Sequence, residues 1–471
     1  MSRMNIKEHK RFNHQVIILG FGSIGRALLP LIIQALGLQP SQITIIAHDD
    51  SGIGIAQKFD VTFKLINITS NNYNEELGKL LLMGDFLVNV TNNISTIALV
   101  ELCNEKGALY IDTSTEPWKE CFVKDLSLAQ QTNYILRENV LKLKGKVTKT
   151  ALMTHGANPG LISYFVKQAL CNLANDNELS FELPTNSYEW ATLAMRLGIK
   201  AIHIAERDTQ ISKRPKLPGE FINTWSIDSL IEEGLQPAEL GWGTHEKSFP
   251  YDGLKHDIGC QSAIYLNRPG ADTLVRSWAP SLGAFQGFLI THPETSSIAD
   301  FLTLKNGSEV HYRPTVHYAY SPCSDTTLSI FELKSNEWRV QKNKRFIFNE
   351  ITDGSDELGV LLMGNEKGAY WFGSTLSIHE ARDIVPQNNA TSLQVIAGIF
   401  SGMIWAIEHP NEGLLEPEDI DHQYILSLAL PYLGKVAGYY TDWTPLKNRG
   451  SLFSEELDYT DPWQFTNIRV K

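Results

Sequence analysis

Residues Val16–Pro30 read VIILGFGSIGRALLP, and the order of residue types in this stretch decides the fold. An apolar run, Val16-Ile17-Ile18-Leu19, has the composition of a buried strand. It meets Gly20-Phe21-Gly22-Ser23-Ile24-Gly25, and an apolar helical pattern follows from Ala27. G-x-G-x-x-G carries weight only between a strand and a helix, and that is its setting here. Gly20 permits the tight turn, Gly22 lets the backbone approach a pyrophosphate, and Gly25 lets helix and strand pack closely. Free N–H groups of Ser23, Ile24 and their neighbours at the positive end of the helix then hold the phosphates.

A second β-rich run, Ile43-Thr44-Ile45-Ile46-Ala47, ends in His48-Asp49-Asp50. A carboxylate at the tip of the second strand, Asp49, is placed to hold the ribose 2′-hydroxyl of NAD. No Arg or Lys follows until Lys58, so a 2′-phosphate lacks a partner along the chain, and the reading is NAD rather than NADP.

At 471 residues the chain exceeds one hydrophobic core and suits two or three domains. A formal charge of −12 argues against nucleic acid or an anionic membrane surface as the main partner, and is compatible with a cationic substrate. The polar N-terminus MSRMNIKEHKRFNHQ lacks the apolar core of a secretory signal. The longest apolar stretch, near Ile396–Ile407, reads as too short to cross a bilayer and contains Gly398 and Gly402. The 5 cysteines are scattered without a C-x-x-C, so neither a disulfide framework nor a zinc knuckle is expected, and the expected compartment is the cytoplasm.

Strand and helix signals alternate through the first 150 or so residues, which means a parallel, doubly wound Rossmann sheet of the α/β class. Strands are expected at Val61–Ile68, Asp85–Thr91, Ala108–Asp112 and Val147–Met153, and helices at Glu75–Leu82, Ser95–Lys106 (N-capped by Ser95) and Ser127–Leu141. The loops after the later strands should face the nicotinamide end of the cofactor. They carry Thr91-Asn92-Asn93, Thr113-Ser114-Thr115-Glu116-Pro117-Trp118 and Thr154-His155-Gly156-Ala157-Asn158-Pro159-Gly160. Of these residues, Thr91, Asn92, Thr113 and Asn158 are taken as cofactor contacts.

Beyond Gly160 a helix at Leu161–Leu173 gives way to strand-like runs without regular alternation, the pattern of a second, α+β substrate domain. The runs are Ala201–Ala205, Phe288–Ile290, Ser308–Tyr312, Thr326–Glu332, Arg345–Glu350 and Leu358–Met363. The expected boundaries are 1–155 for the dinucleotide domain and 156–390 for a substrate and dimerisation domain. Segment 391–471, led by an apolar helix from Thr391, is expected to return to the first domain.

Glu206 to Glu246 is dense in carboxylates and tryptophans, including Glu206-Arg207-Asp208, Trp225, Glu232-Glu233 and Glu239. A pocket for an organic cation uses both types, because carboxylates bind ammonium groups and an indole face attracts a cation. Core tryptophans beside a solvated acidic helix give the same composition, so the segment alone leaves both readings open. The 13 histidines include no H-E-x-x-H, and no metal is expected. His292 is expected to end an apolar strand before a proline, a position that suits either a functional or a structural histidine.

THGANPGLIS (Thr154–Ser163), AERD (Ala205–Asp208), NTWSIDSLIEEGLQPAELGWGTHE (Asn223–Glu246) and DELGVLLMG (Asp356–Gly364) together resemble the bacterial homospermidine synthases, within the wider saccharopine-dehydrogenase-like group. The resemblance covers nearly the whole chain. It implies an NAD-dependent reaction without net redox change, in which two putrescines become sym-homospermidine and ammonia, in a cytoplasmic homodimer. It places substrate carboxylates at Glu206 and Glu233, an aromatic cation platform at Trp225, polar groups near the nicotinamide at Asn158 and His292, and an amine-facing carboxylate at Glu116. After the fourth strand, where an acid is expected, the chain has Asn92 and Asn93.

The chemistry asks for such groups independently. Hydride leaves only a carbon bearing a neutral amine, so a base must first take a proton from an ammonium. The alternative is a net NAD(P)H-dependent reductase of the saccharopine or carboxynorspermidine type. Its carboxylate-bearing substrates call for Arg or Lys, and none stands between Phe221 and Glu246.

Overall fold

Val16–Leu19 (β1) is buried along its whole length, which is why four consecutive aliphatic residues are needed there. The computed structural model describes residues 9–121, 126–386 and 388–470. β1 lies between Ile43–Ala47 (β2) and Phe86–Asn89 (β4), parallel to both. With Thr62–Leu65 (β3), Leu109–Asp112 (β5), Ala151–Leu152 (β6) and Leu414–Leu415, they form a 7-stranded sheet in the order Leu414–Leu415, β6, β5, β4, β1, β2, β3. Every pairing is parallel, and the chain reverses its direction of winding between β1 and β4. A doubly wound sheet leaves its ligand crevice at that point, beyond the carboxyl ends of the strands.

The helix after β1 starts at Ser23, inside the glycine motif, rather than at Ala27. The apolar pattern marks where the helix buries its face; the motif itself supplies the first turn. Ser95 caps Thr96–Lys106 by accepting from the Ala98 N–H, as its position before the apolar run requires. The expected Ser127–Leu141 helix is divided into a 3-10 turn at Leu128–Gln131 and a helix at Asn133–Leu141.

The second unit is built on a 10-stranded mixed sheet. At its centre, Ala201–Asp208 runs parallel to Thr315–Ser321 on one side and antiparallel to Ser355–Asn365 on the other. Pro237–Gly241 pairs with Thr315–Ser321 further out. Thr326–Glu332, read from its Thr and Ile content as a strand, lies instead within the helix Ser324–Ser335. Its buried residues Thr326, Ser329, Ile330 and Leu333 follow the helical repeat, and that burial overrides β-propensity.

The units are discontinuous in sequence. One comprises residues up to Leu126, Ile135–Leu161 and Ile378–Leu433; the other comprises Ser127–Tyr134, Ile162–Ser377 and Gly434–Lys471. The tail is therefore not one returning segment. Ala390–Glu408 is a helix of the first unit, whereas Lys435–Thr441 adds an edge strand beside Gly368–Ser377 in the second. Ala390–Glu408 has 19 residues and is long and apolar enough to cross a membrane, correcting the reading of that stretch as too short. Within its unit, 83% of its apolar window is buried, and that accounts for the composition.

Candidate active site

In the first unit the glycines divide the work in a way that fits a dinucleotide. Gly20 has φ +94°, and a Cβ there would lie 2.8 Å from the Val90 carbonyl oxygen. A Cβ on Gly25 would lie 2.5 Å from the Gly20 carbonyl oxygen. Both glycines are demanded by the chain's own packing. At Gly22 a Cβ would meet nothing within 4 Å, so the protein itself does not require glycine there. That open space, beside the Ser23 and Ile24 amides that begin the helix, is what the close approach of a pyrophosphate would need.

Asp49 stands at the exposed end of β2, its carboxylate accepting from the Ser51 N–H at 2.9 Å and from the Ser51 hydroxyl. Those bonds hold the carboxyl below its usual range. Arg26, one turn into the first helix, donates to the Phe21 carbonyl at 2.8 Å and to Ser51 Oγ. A linear search for a cation after β2 overlooks it, because it comes from the preceding helix. The carboxylate remains the group at the strand tip, which suits a ribose hydroxyl and repels a 2′-phosphate.

The loops after β4, β5 and β6 are joined by a buried network that the sequence did not reveal. At its centre is Asp112, the last residue of β5. Asp112 Oδ1 accepts from the Thr154 N–H at 2.6 Å, and Oδ2 accepts from the Tyr110 hydroxyl at 2.8 Å and the Thr96 hydroxyl at 3.1 Å. Burial pushes its carboxyl up to about 7, against these hydrogen bonds. Thr96 Oγ1 in turn accepts from the Glu116 N–H at 3.0 Å. Glu116 accepts from the Asn93 N–H at 3.2 Å and the Ser114 hydroxyl at 3.0 Å, so it ties the loop after β4 to the loop after β5. Thr91 and Asn92 lie half-buried on the first of these loops and Thr113 half-buried on the second. Asn158 is half-buried on the third, whose turn is closed by the Gly156 N–H donating to the Pro159 carbonyl at 2.8 Å.

The second unit gathers the acidic and aromatic residues on one face of its central strands. Side chains alternate along a strand, so Glu206 and Asp208 share a face. Register sets Tyr320 beside Glu206 and Asp356 beside Asp208. The Tyr318 hydroxyl donates to Glu206, and the rings of Tyr318 and Tyr320 stack at 5.3 Å. Trp225 is half-buried and fixed by its indole N–H, which donates to the Tyr320 hydroxyl at 2.9 Å. Thr224 donates to Asp208 at 2.7 Å, and burial raises the Asp208 carboxyl to about 6.

His292 enters from the loop after Gly283–Phe288, four residues beyond the strand's end rather than on it, and precedes the helix Glu294–Phe301. Its Nε2 lies 3.2 Å from Glu233 and its Nδ1 3.0 Å from Glu294. Its ring lies 4.6 Å from that of Tyr318. Burial alone would lower its pKa; the flanking carboxylates Glu294 and Glu233 reverse this and raise it well above the usual value. Burial raises Glu233, with His292 acting against it. The loop is braced by Thr291, which donates to Glu239 at 3.0 Å.

Glu206, Trp225, Glu233 and His292 are thus brought into one constellation, and Asn158 and Glu116 belong to the first unit. Glu294, Asp356, Tyr318 and Tyr320 join this constellation without having been singled out from the sequence, and Asp208 and Glu239 were named only as part of its acidic segment. Period-two alternation from Glu206 pointed to Asp208; only strand register could have added the tyrosines and Asp356. Among the described residues, no cluster of three or more His, Cys, Asp or Glu could hold a metal ion.

A doubly wound sheet with a glycine-rich turn in one unit, and an acidic sheet face with Trp225 tethered to it in the other, are the parts of a dinucleotide-dependent enzyme. The saccharopine dehydrogenase NADP binding domain matches residues 16–153, and the saccharopine dehydrogenase C-terminal domain matches residues 156–441. The homospermidine synthase of Blastochloris viridis is 48% identical, over 98% of each chain. That of Mesorhizobium japonicum is 46% identical, over 100% of this chain and 99% of its own. The crystal structure of the homospermidine synthase of Legionella pneumophila in complex with NAD is 61% identical, with a TM-score of 0.94 over 98% of this chain and 99% of that one. The chain belongs to the homospermidine synthase family of the saccharopine dehydrogenase group.

Proposed function

We propose that this protein is a homospermidine synthase that converts two putrescines into sym-homospermidine and ammonia with NAD as its cofactor. The observation that carries this is the sheet face bearing Glu206, Asp208, Asp356, Tyr318 and Tyr320, with Trp225 hydrogen-bonded at its edge. Its acids and rings suit a dication, and the homospermidine synthases of Blastochloris viridis and Mesorhizobium japonicum match the chain over nearly their full lengths.

NAD, when bound, accepts a hydride from the amine-bearing carbon and returns it after condensation, so no net oxidation results. Gly20, Gly22, Ser23, Ile24 and Gly25 hold its phosphates and Asp49 its ribose, while Thr91, Asn92, Thr113 and Asn158 serve the nicotinamide end. Glu116 braces two of those loops, and its carboxylate is the group that faces the substrate amine. In the second unit, Glu206, Asp208 and Asp356 provide fixed negative charge for an ammonium. Trp225 offers its face to the substrate cation and to the cationic imine that follows, an interaction strongest away from water. Glu233 and His292 move the proton that must leave the ammonium before oxidation and reach the departing nitrogen afterwards. The reductase alternative, whose substrates carry carboxylates, calls for Arg or Lys, and the described residues of this constellation include neither; its one cationic ring, His292, is already held between Glu233 and Glu294.

We further place the protein in the cytoplasm as a homodimer acting on putrescine and related diamines, without nucleic-acid or membrane partners; light scattering of the purified protein tests the dimer. The reaction is tested by mass spectrometry of putrescine incubated with enzyme and substoichiometric NAD. Triamine should accumulate many times beyond the NAD supplied, with no net NADH. Triamine capped at the amount of NAD would overturn the reading.

A further inference from the structure

We propose that Glu294 is a positioning residue that keeps His292 charged, and thereby keeps Glu233 ionised as the group that takes the proton from the substrate ammonium. The inference deepens the function proposed above and rests on it.

An imidazole between two carboxylates can donate to both only when both ring nitrogens carry a proton. The distances, 3.0 Å from Nδ1 to Glu294 and 3.2 Å from Nε2 to Glu233, describe such an arrangement. The two carboxylates are not equivalent. The Glu294 side chain is 1% exposed, and its Oε2 has no hydrogen-bond partner among the described residues, so its charge is answered by His292 through Oε1. Glu294 also opens the helix Glu294–Phe301, where the N-terminal dipole favours an anion. The Glu233 side chain is 21% exposed and can meet an arriving molecule.

The other groups facing the ring leave this division intact. Tyr318 lies against it with its hydroxyl committed to Glu206, and Glu239 is engaged by Thr291 and the Tyr134 N–H. Burial pushes Glu233 toward its protonated, useless form, and the positive ring opposes that push. Without Glu294 the ring would release its proton, and Glu233 would keep one. The transfer balances: the ammonium loses a proton to the Glu233 carboxylate and becomes a neutral amine, and the same proton later goes to the nitrogen that departs as ammonia.

The test compares wild type, Glu294→Gln and Glu294→Asp by kcat/KM for putrescine from pH 6 to 9.5, with the Kd for NAD and the His292 ring titration followed by NMR. Glu294→Gln should lose about tenfold or more near pH 7 and recover toward pH 9, because the base now ionises later. Its His292 should titrate at least about one pH unit lower, NAD affinity should stay within about twofold, and Glu294→Asp should restore the wild-type profile. In a His292→Gln background, Glu294→Gln should add no further loss. An unshifted profile, a uniform loss at every pH, or a full additional loss in that background would overturn the inference. Absence of triamine from the wild type would instead overturn the functional reading, and the NMR titration would still decide whether Glu294 holds the ring.

Discussion

Trp225 shows what one side chain contributes at this site. Its indole N–H is committed to Tyr320, which fixes the ring, and under the proposed function the face of that ring meets the substrate cation. A cation–π contact is worth about 0.5–2 kcal/mol, the larger figure applying when water is excluded. Trp225→Phe keeps a weaker aromatic face and loses the tether, and should cost roughly tenfold in kcat/KM for putrescine. Trp225→Ala removes both and should cost about thirtyfold, while the Kd for NAD, read by fluorescence titration, changes little. Equal losses in turnover and in NAD binding would remove the proposed role. Trp225 was singled out through the family resemblance, because its own segment of acids and tryptophans suits a core as well as a pocket. Tyr318 and Tyr320 were not, because an aromatic in a buried strand looks the same whether it lines a core or a site.

Among elements, the informative one is the β5 tip with the loops it ties together. The glycine motif and strand alternation were readable because each is a local pattern. The Asp112 network was not, because Thr96, Asp112 and Thr154 come from three separate elements and meet only once the sheet has formed. Asp112 predicts a measurable pH dependence. Its folded-state value, about 7, is raised above the ordinary 3.8. The stability it contributes is therefore fully present below about pH 3.8 and is lost as pH rises through about 7. Asp112→Asn cannot titrate, so its melting temperature relative to wild type should rise between pH 5 and pH 7.5, a difference of about 2 kcal/mol. A flat difference would show the carboxylate ionised at both. The helix Ala390–Glu408 carries a second prediction for the same unit. A Cβ on Gly398 would lie 1.9 Å from the Gly156 carbonyl oxygen, so Gly398→Ala must displace the loop that carries Asn158. Overpacking of that kind costs about 1–3 kcal/mol and should appear as a lower melting temperature together with weaker NAD binding.

For the molecule as a whole, the sequence conveyed the two kinds of architecture but not the path of the chain through them. Alternating β and α signals identify a parallel sheet wherever they occur, whereas the exchange of Ser127–Tyr134 and Gly434–Lys471 into the second unit depends on long-range packing that no local pattern encodes. The strands that hold the acidic face also carry, on their opposite face, a feature with a consequence for the whole chain in acid. His203 and His317, cross-strand partners, are 0% exposed with ring centroids 4.0 Å apart, and neither Nε2 has a hydrogen-bond partner among the described residues. Burial lowers His203 well below its usual value and His317 to about 4. The unfolded chain therefore takes up protons below about pH 6.5 that the folded chain refuses, and stability falls as pH drops from 6.5 toward 4. Glu246 and Asp208, raised by burial to about 7 and about 6, act in the opposite direction, so the bare acid curve of the wild type mixes the two signs. A single substitution separates them. His317→Phe keeps a flat ring beside His203 and Phe465 and cannot take up a proton. Relative to wild type it should gain about 2 kcal/mol between pH 7 and pH 5, measured by denaturant unfolding followed by circular dichroism. A relative loss over that interval would mean that the folded protein holds His317 as an imidazolium, with the buried pair stabilised by charge rather than strained by it.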